Sequence, residues 1–252
     1  MSKLHKNRQL EKIVNENDAS YFVEEEVIIR NYKKLIKTFQ KYYKNTVIGY
    51  SYKTNYIPFV CKTFHKLGAY AETVSEMEGR LAEKLGVPFK KIYFNGPSKE
   101  YKWASYLLKK GGVFTIDSFA DYKWLKKQPS KLTNKLRVGI RCNFSVQKNK
   151  ISRFGIDTNS KEFKEIILDL SNDKNISEIG FHCHFAQRDL PTWKKTISGM
   201  MRVLNKYHSA VNKKISFVSL GGGIQGEMNK ELRDILGAKQ INFSQYAREI
   251  KP

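Results

Sequence analysis

The chain has 252 residues, 40% of them hydrophobic and 13% aromatic, which supplies a sizeable core and excludes global disorder. Its 46 Lys and Arg against 24 Asp and Glu give a net charge of +22, but the basic residues are dispersed, as at Lys33-Lys34, Lys90-Lys91 and Lys126-Lys127, with no zinc finger or RNP-like motif. The charge therefore reads as a lysine-rich solvated surface, which makes nucleic acid an unlikely partner although a basic nucleic-acid-binding protein stays the third-ranked alternative.

Residues 1–20 are expected to form a mobile segment and residues 21–252 a single domain. Ser20–Val23 is a candidate short strand before a helix over Ile28–Tyr43. From there, β-rich runs alternate with amphipathic ones. The strand candidates are Thr46–Tyr52, Ala69–Val74, Lys91–Asn95, Gly112–Asp117, Leu136–Asn143, Ile179–His184 and Ile215–Leu220, each followed by a helix-like segment. Ile57, Val60, Cys61, Phe64 and Leu67 recur at helical spacing. Ser75-Glu76-Met77-Glu78 is a capping-box pattern opening a helix over Glu76–Leu85. Asp117-Ser118 caps the next helix, and Ser160 caps one over Lys161–Leu170. The last segment, Phe243–Ile250, is again helical in spacing, and Lys251-Pro252 follows.

Strands separated by such helices pair in parallel through right-handed crossovers. The expected fold is α/β, a (β/α)8-type, TIM-like barrel. Only seven of its eight strands can be counted, so the barrel is expected to be incomplete, with unpaired edges on its first and last strands. No stretch approaches the ~20 apolar residues of a membrane span, and the polar start, Met1 to Leu10, has no signal-peptide pattern. Three scattered cysteines, Cys61, Cys142 and Cys183, fit a reducing compartment, the cytoplasm.

A barrel keeps its chemistry at the C-terminal ends of its strands. The first strand ends in Tyr50-Ser-Tyr-Lys53-Thr-Asn55, which places Lys53 for desolvation and Schiff-base chemistry, or as one surface lysine among many. The last ends in Leu220-Gly221-Gly222-Gly223, where backbone N–H groups can crowd a phosphate or simply make a tight turn. The sixth ends in His182-Cys183-His184, whose histidines share one face. They could ligate a metal, but a zinc site needs at least three protein ligands and no second cluster presents itself. Packing of an imidazole on a cofactor ring suits them better, with Cys183 in the core.

Together with Glu72-Thr-Val-Ser75-Glu-Met-Glu78, Phe94-Asn-Gly-Pro97-Ser-Lys99, Thr115-Ile-Asp-Ser118, Arg141-Cys-Asn143 and Ser152-Arg-Phe-Gly155, these motifs follow the order and approximate spacing of a known family. From about residue 20 to 250 the chain resembles the fold-type III pyridoxal-phosphate decarboxylases, which act on diaminopimelate, ornithine, arginine or carboxynorspermidine. The resemblance implies pyridoxal 5'-phosphate as cofactor, bound covalently by Lys53, with His184 stacked on its ring and Gly221, Gly222 and Gly223 cradling its phosphate. Glu72, Ser75, Arg141 and His182 would line the pocket. It implies an amino-acid substrate and a homodimer, or a separate chain that completes the site.

Three departures stand out. Glu72 replaces the family's usual Asp. Phe185-Ala186-Gln187 replaces a Gly-Ser that helps hold phosphate. The eighth strand, with its Glu-Pro-Gly-Arg motif, and the C-terminal β-domain that follows are not in these 252 residues, so little activity is expected of them alone. A non-catalytic pyridoxal-phosphate carrier is the alternative.

Overall fold

The computed structural model describes residues 11, 12, 15, 21–128, 135–147, 152–185, 189–211, 214–226, 228–235, 237 and 240–250. Apart from residues 11, 12 and 15, the predicted mobile segment lies outside them, as do the 185–187 departure beyond Phe185 and the Lys251-Pro252 end.

The strands are β1 (Gly49–Ser51), β2 (Tyr70–Thr73), β3 (Ile92–Phe94), β4 (Val113–Ile116), β5 (Leu136–Asn143), β6 (Ile156–Asp157), β7 (Ile176–His182) and β8 (Ile215–Ser219). They pair in the order β1-β2-β3-β4-β5-β7-β8, and the two-residue β6 pairs only with β5. Every pair is parallel. The seven main strands form a curled, incomplete (β/α) barrel with β1 and β8 at its ends. The central strands are buried on both faces and read as near-continuous apolar runs, whereas β1 and β8 keep exposed positions. On the outward face Ile92, Phe94, Phe114, Ile116, Val138, Ile140, Ile179 and Phe181 lie buried beneath the helices.

Alternate residues point into the curl and form layers. Arg137 and Glu178 pair at the bottom, 2.9 Å apart. Above them the Phe217 ring meets Tyr93 edge-on at 4.9 Å and lies against the backbone of Gly139 and Gly180. The two glycines leave room for that ring, since a Cβ at Gly180 would sit 2.1 Å from it. Gly180→Ala is expected to destabilise the fold by ~1–3 kcal/mol through overpacking. Urea unfolding measures this, and an unchanged midpoint would mean that Phe217 packs elsewhere.

The helices are α1 (Glu25–Gln40), α2 (Pro58–Lys66), α3 (Glu76–Lys84), α4 (Tyr101–Lys109), α5 (Phe119–Lys126), α6 (Lys161–Asn172), α7 (Leu190–Val211), α8 (Lys230–Ile235) and α9 (Phe243–Arg248). Ser118 caps α5 in a full capping box with Asp121, and Ser160 caps α6. Ser75 caps α3 by accepting from the Glu78 amide, but the Glu78 carboxylate reaches past it to the Val74 N–H at 2.8 Å. The predicted box is therefore half formed.

The first helix begins three residues earlier than expected because Glu25 and Glu26 suit its N-terminal turn. Tyr21–Val23 form no strand. The sequence reading missed β6 and α8, both too short for a periodic signal, and the first turn of β7.

Helices α1, α7 and α9 share a second core of Phe39, Trp193, Ile241, Tyr246 and Ala247. Trp193 Nε1 donates to the Tyr246 carbonyl at 3.0 Å, which ties α7 to α9. Among the described residues no helix is long and apolar enough to cross a membrane.

Candidate functional site

The top of the curl begins at a 3-10 turn over Tyr52–Thr54 that follows β1. Thr54 Oγ1 donates to the Ser51 carbonyl at 2.7 Å, and Tyr50 OH donates to the Asn55 carbonyl at 2.9 Å. The Tyr50 ring stacks on Phe64 of α2 with centroids 3.9 Å apart, and Tyr52 is buried. The aromatic residues of this motif thus anchor the turn from outside. They leave Lys53 exposed, which corrects the expected desolvation: the described residues do not supply it. The positive charge of Lys53 nevertheless acts on both Glu78 and His182.

Beside the turn, Ser51 Oγ donates to Glu72 Oε2 on the neighbouring strand, where the two residues are register partners. Glu72 therefore lies at the site mouth, held by a side chain that the sequence reading did not single out. Burial raises the pKa of Glu78, opposed by the Val74 N–H and by Lys53. Ser75 faces α3 as its cap, so its hydroxyl is committed to the helix.

Arg141 and His182 are register partners on β5 and β7, and His182 pairs in turn with Ser219 on β8. Arg141 Nη1 meets Asp117 Oδ1 at 2.7 Å in a buried ion pair. The other Asp117 oxygen accepts from the Gly155 N–H at 3.3 Å. Arg141 also lies over the Phe154 ring at 4.8 Å. Its Nε is buried without a hydrogen-bond partner among the described residues.

A second buried pair supports the first. Lys99 Nζ lies 3.0 Å from Asp121 Oδ2, and the same oxygen accepts from the Asp117 N–H at 2.9 Å. The sequence marks Asp117 only as part of a helix cap. Its place two residues beyond inward-facing Thr115 is the signal that would have put it inside.

His182 Nδ1 is 2.8 Å from Ser219 Oγ, which also accepts from the Gly221 N–H at 3.4 Å. Burial first, then Arg141, His184, Lys53 and Lys99, push the His182 pKa well below its usual 6.5, so the ring is neutral. The unfolded chain then binds a proton that the folded chain refuses. Its contribution to stability is complete above pH ~6.5 and falls as the pH drops below that, by at most ~1.4 kcal/mol per pH unit. His182→Gln is expected to flatten this part of the acid limb in chemical unfolding from pH 7 to 5. An unchanged slope would mean that His182 is protonated in the fold.

The half-buried His184 accepts from the Gly222 N–H through Nδ1 at 3.2 Å, which leaves the proton of a neutral ring on Nε2. Gly221 and Gly223 have φ of +74° and +97°. A Cβ at Gly221 would lie 2.4 Å from the Cys183 carbonyl, so this turn packs directly on the end of β7. Two of the three amides expected to face a phosphate are thus turned to Ser219 and His184 in this state. No group of three His, Cys, Asp or Glu able to hold a metal occurs among the described residues. One end of the curl therefore brings together an exposed amine, a glycine turn, two histidines and a guanidinium with a donor that is unpaired among the described residues. The residue not drawn in is Ser75.

Residues 28–252 match the family model described as the pyridoxal-binding domain of pyridoxal-dependent decarboxylases. Diaminopimelate decarboxylase of Aquifex aeolicus is 27% identical over 208 residues, 76% of this chain and 48% of that one. The Methanocaldococcus jannaschii enzyme of the same name is 27% identical over 221 residues, 81% of this chain and 50% of that one. The chain spans about half the length of these curated relatives. The crystal structure of an M. jannaschii diaminopimelate decarboxylase superposes with a TM-score of 0.82 at 24% identity, covering 95% of this chain and 57% of that one.

Proposed function

The chain belongs to the pyridoxal-dependent decarboxylases, with residues 28–252 as their pyridoxal-binding domain, and from that premise we propose that it holds pyridoxal 5'-phosphate on Lys53 for the decarboxylation of a basic or diamino amino acid. The observation that carries this reading is the convergence of Lys53, the Gly221–Gly223 turn, His184 and Arg141 at one end of the barrel. The side chains present fit the group. The turn is bare of side chains, and a Cβ at Gly222 would meet nothing nearer than His184 Cε1 at 4.0 Å, which suits close approach of backbone to phosphate, while the buried Nε of Arg141, without a partner among the described residues, suits an anionic oxygen.

When bound, the cofactor would supply the sink for the electron pair left on the α-carbon as CO2 departs. Lys53 provides the amine that attaches it. Gly221, Gly222 and Gly223 would hold its phosphate and His184 would stack on its ring, the Gly222 N–H being bonded to His184 Nδ1 without it. Glu72, fixed by Ser51, and the neutral His182 line the pocket. Ser75 contributes by keeping the start of α3 in place. Diaminopimelate is the first substrate to try, because the relatives reported above are diaminopimelate decarboxylases. A second copy or another polypeptide closes the site, and the cytoplasm is the proposed location.

One observation favours a carrier role for these residues on their own: Lys53 is exposed, so water reaches it freely, and a catalytic site excludes water. A polypeptide of residues 1–252, loaded with cofactor, is expected to release little or no CO2 from meso-diaminopimelate, ornithine or arginine. Robust release would show that the exposure is no obstacle and would dismiss the carrier reading.

A further inference from the structure

The Arg141–Asp117 pair is buried on both sides, with side-chain exposures of 7% and 6%, yet the guanidinium Nε has no partner among the described residues. A buried N–H left unpaired costs ~1–3 kcal/mol. The surrounding structure holds it there deliberately: Asp117 grips Nη1, and Phe154 covers one face of the guanidinium. Gly155, at φ +80°, lets its loop lie so close that a Cβ would come within 2.8 Å of the Arg141 carbonyl. Asp117 is itself fixed through its backbone N–H to Asp121.

We propose that Asp117 is a positioning residue, which clamps Arg141 so that its free Nε–H meets an anionic oxygen of the bound cofactor or substrate. This rests on the reading of the site as a pyridoxal-phosphate site. The oxygen is not the phosphate's. Arg141 stands on β5, two strands from Ser219 on β8, and strands lie about 4.8 Å apart, so the two positions are roughly 10 Å apart. Asp117, from the end of β4, draws the guanidinium further from the glycine turn. Two kinds of anionic group remain, the cofactor's phenolate and a carboxylate of the amino acid, and both carry the negative charge that a guanidinium recognises.

Titration of the full chain with pyridoxal phosphate, then of the loaded chain with meso-diaminopimelate, separates them. Asp117→Asn is expected to raise the dissociation constant about tenfold or more in the first titration if the phenolate is the partner, and in the second alone if the carboxylate is. A double-mutant cycle guards against simple damage to the fold. Added to Arg141→Gln, Asp117→Asn is expected to weaken binding no further. Unchanged constants in both titrations, or full additivity with Arg141→Gln, would overturn the inference. A wild-type chain that takes no cofactor on Lys53 would instead overturn the reading of the site on which it rests.

Discussion

Lys53→Ala is expected to abolish covalent attachment of pyridoxal phosphate, and with it the visible absorbance of the bound cofactor, while leaving the fold and a weakened non-covalent affinity in place. The reason lies in how the turn is built. Thr54, Tyr50 and the Tyr50–Phe64 stack hold its backbone, and none of these contacts involves the lysine amine. Removing an exposed side chain costs little stability. The glycine turn, His184 and Arg141 would still receive the phosphate and ring. Lys53→Arg should fail equally, because a guanidinium stays protonated and is no nucleophile. Absorbance and equilibrium dialysis with the two variants test this. A variant that still attaches cofactor covalently at a single other lysine would remove Lys53 from its assigned role.

Asp121→Ala is expected to be the most damaging single change to the top of the barrel. Asp121 accepts from Lys99, from the amides of Asp117 and Ser118, and from Tyr101 OH. Its partner Lys99 is fully enclosed, with 0% side-chain exposure, and lies 5.2 Å from the Phe114 ring centre. Burial already lowers the Lys99 pKa, with Asp121 opposing that shift. Without the carboxylate an uncompensated charge is left inside, which costs ~3–5 kcal/mol out of the ~5–15 kcal/mol that holds a domain together.

The pH dependence carries a definite sign. In the variant the Lys99 pKa falls further in the folded state, so the unfolded chain binds the extra proton and stability rises with pH. Asp121→Ala with Lys99→Met should recover much of the loss, because it removes the stranded charge. Urea unfolding of the wild type and the two variants across pH measures both effects. A double variant no more stable than Asp121→Ala would mean that the lost amide contacts, and not the charge, dominate.

Much of this architecture was legible in the sequence because parallel barrel strands are apolar runs between turn residues. All seven main strands lie where that pattern places them. The turn at Lys53, the pairing of His182 with His184 and the glycine turn were visible as motifs at strand ends. What stayed hidden depends on contacts across strands. Nothing local marks Ser51 as the partner of Glu72, and Asp117 next to Ser118 reads as capping chemistry until Arg141 is placed at the next inward position beyond Gly139. The Lys99–Asp121 pair joins residues 22 apart, and lysine and aspartate otherwise read as surface. Desolvation of Lys53 was expected from its apolar neighbours, but those neighbours turn outward onto α2, as alternation along a strand requires.

The most direct test is to mix the purified chain with pyridoxal phosphate, reduce with borohydride and map the modified peptide by mass spectrometry. A single adduct on Lys53 is the expected result. No adduct, or one scattered over the many surface lysines, would contradict the assignment of this end of the barrel as a site that selects its own lysine.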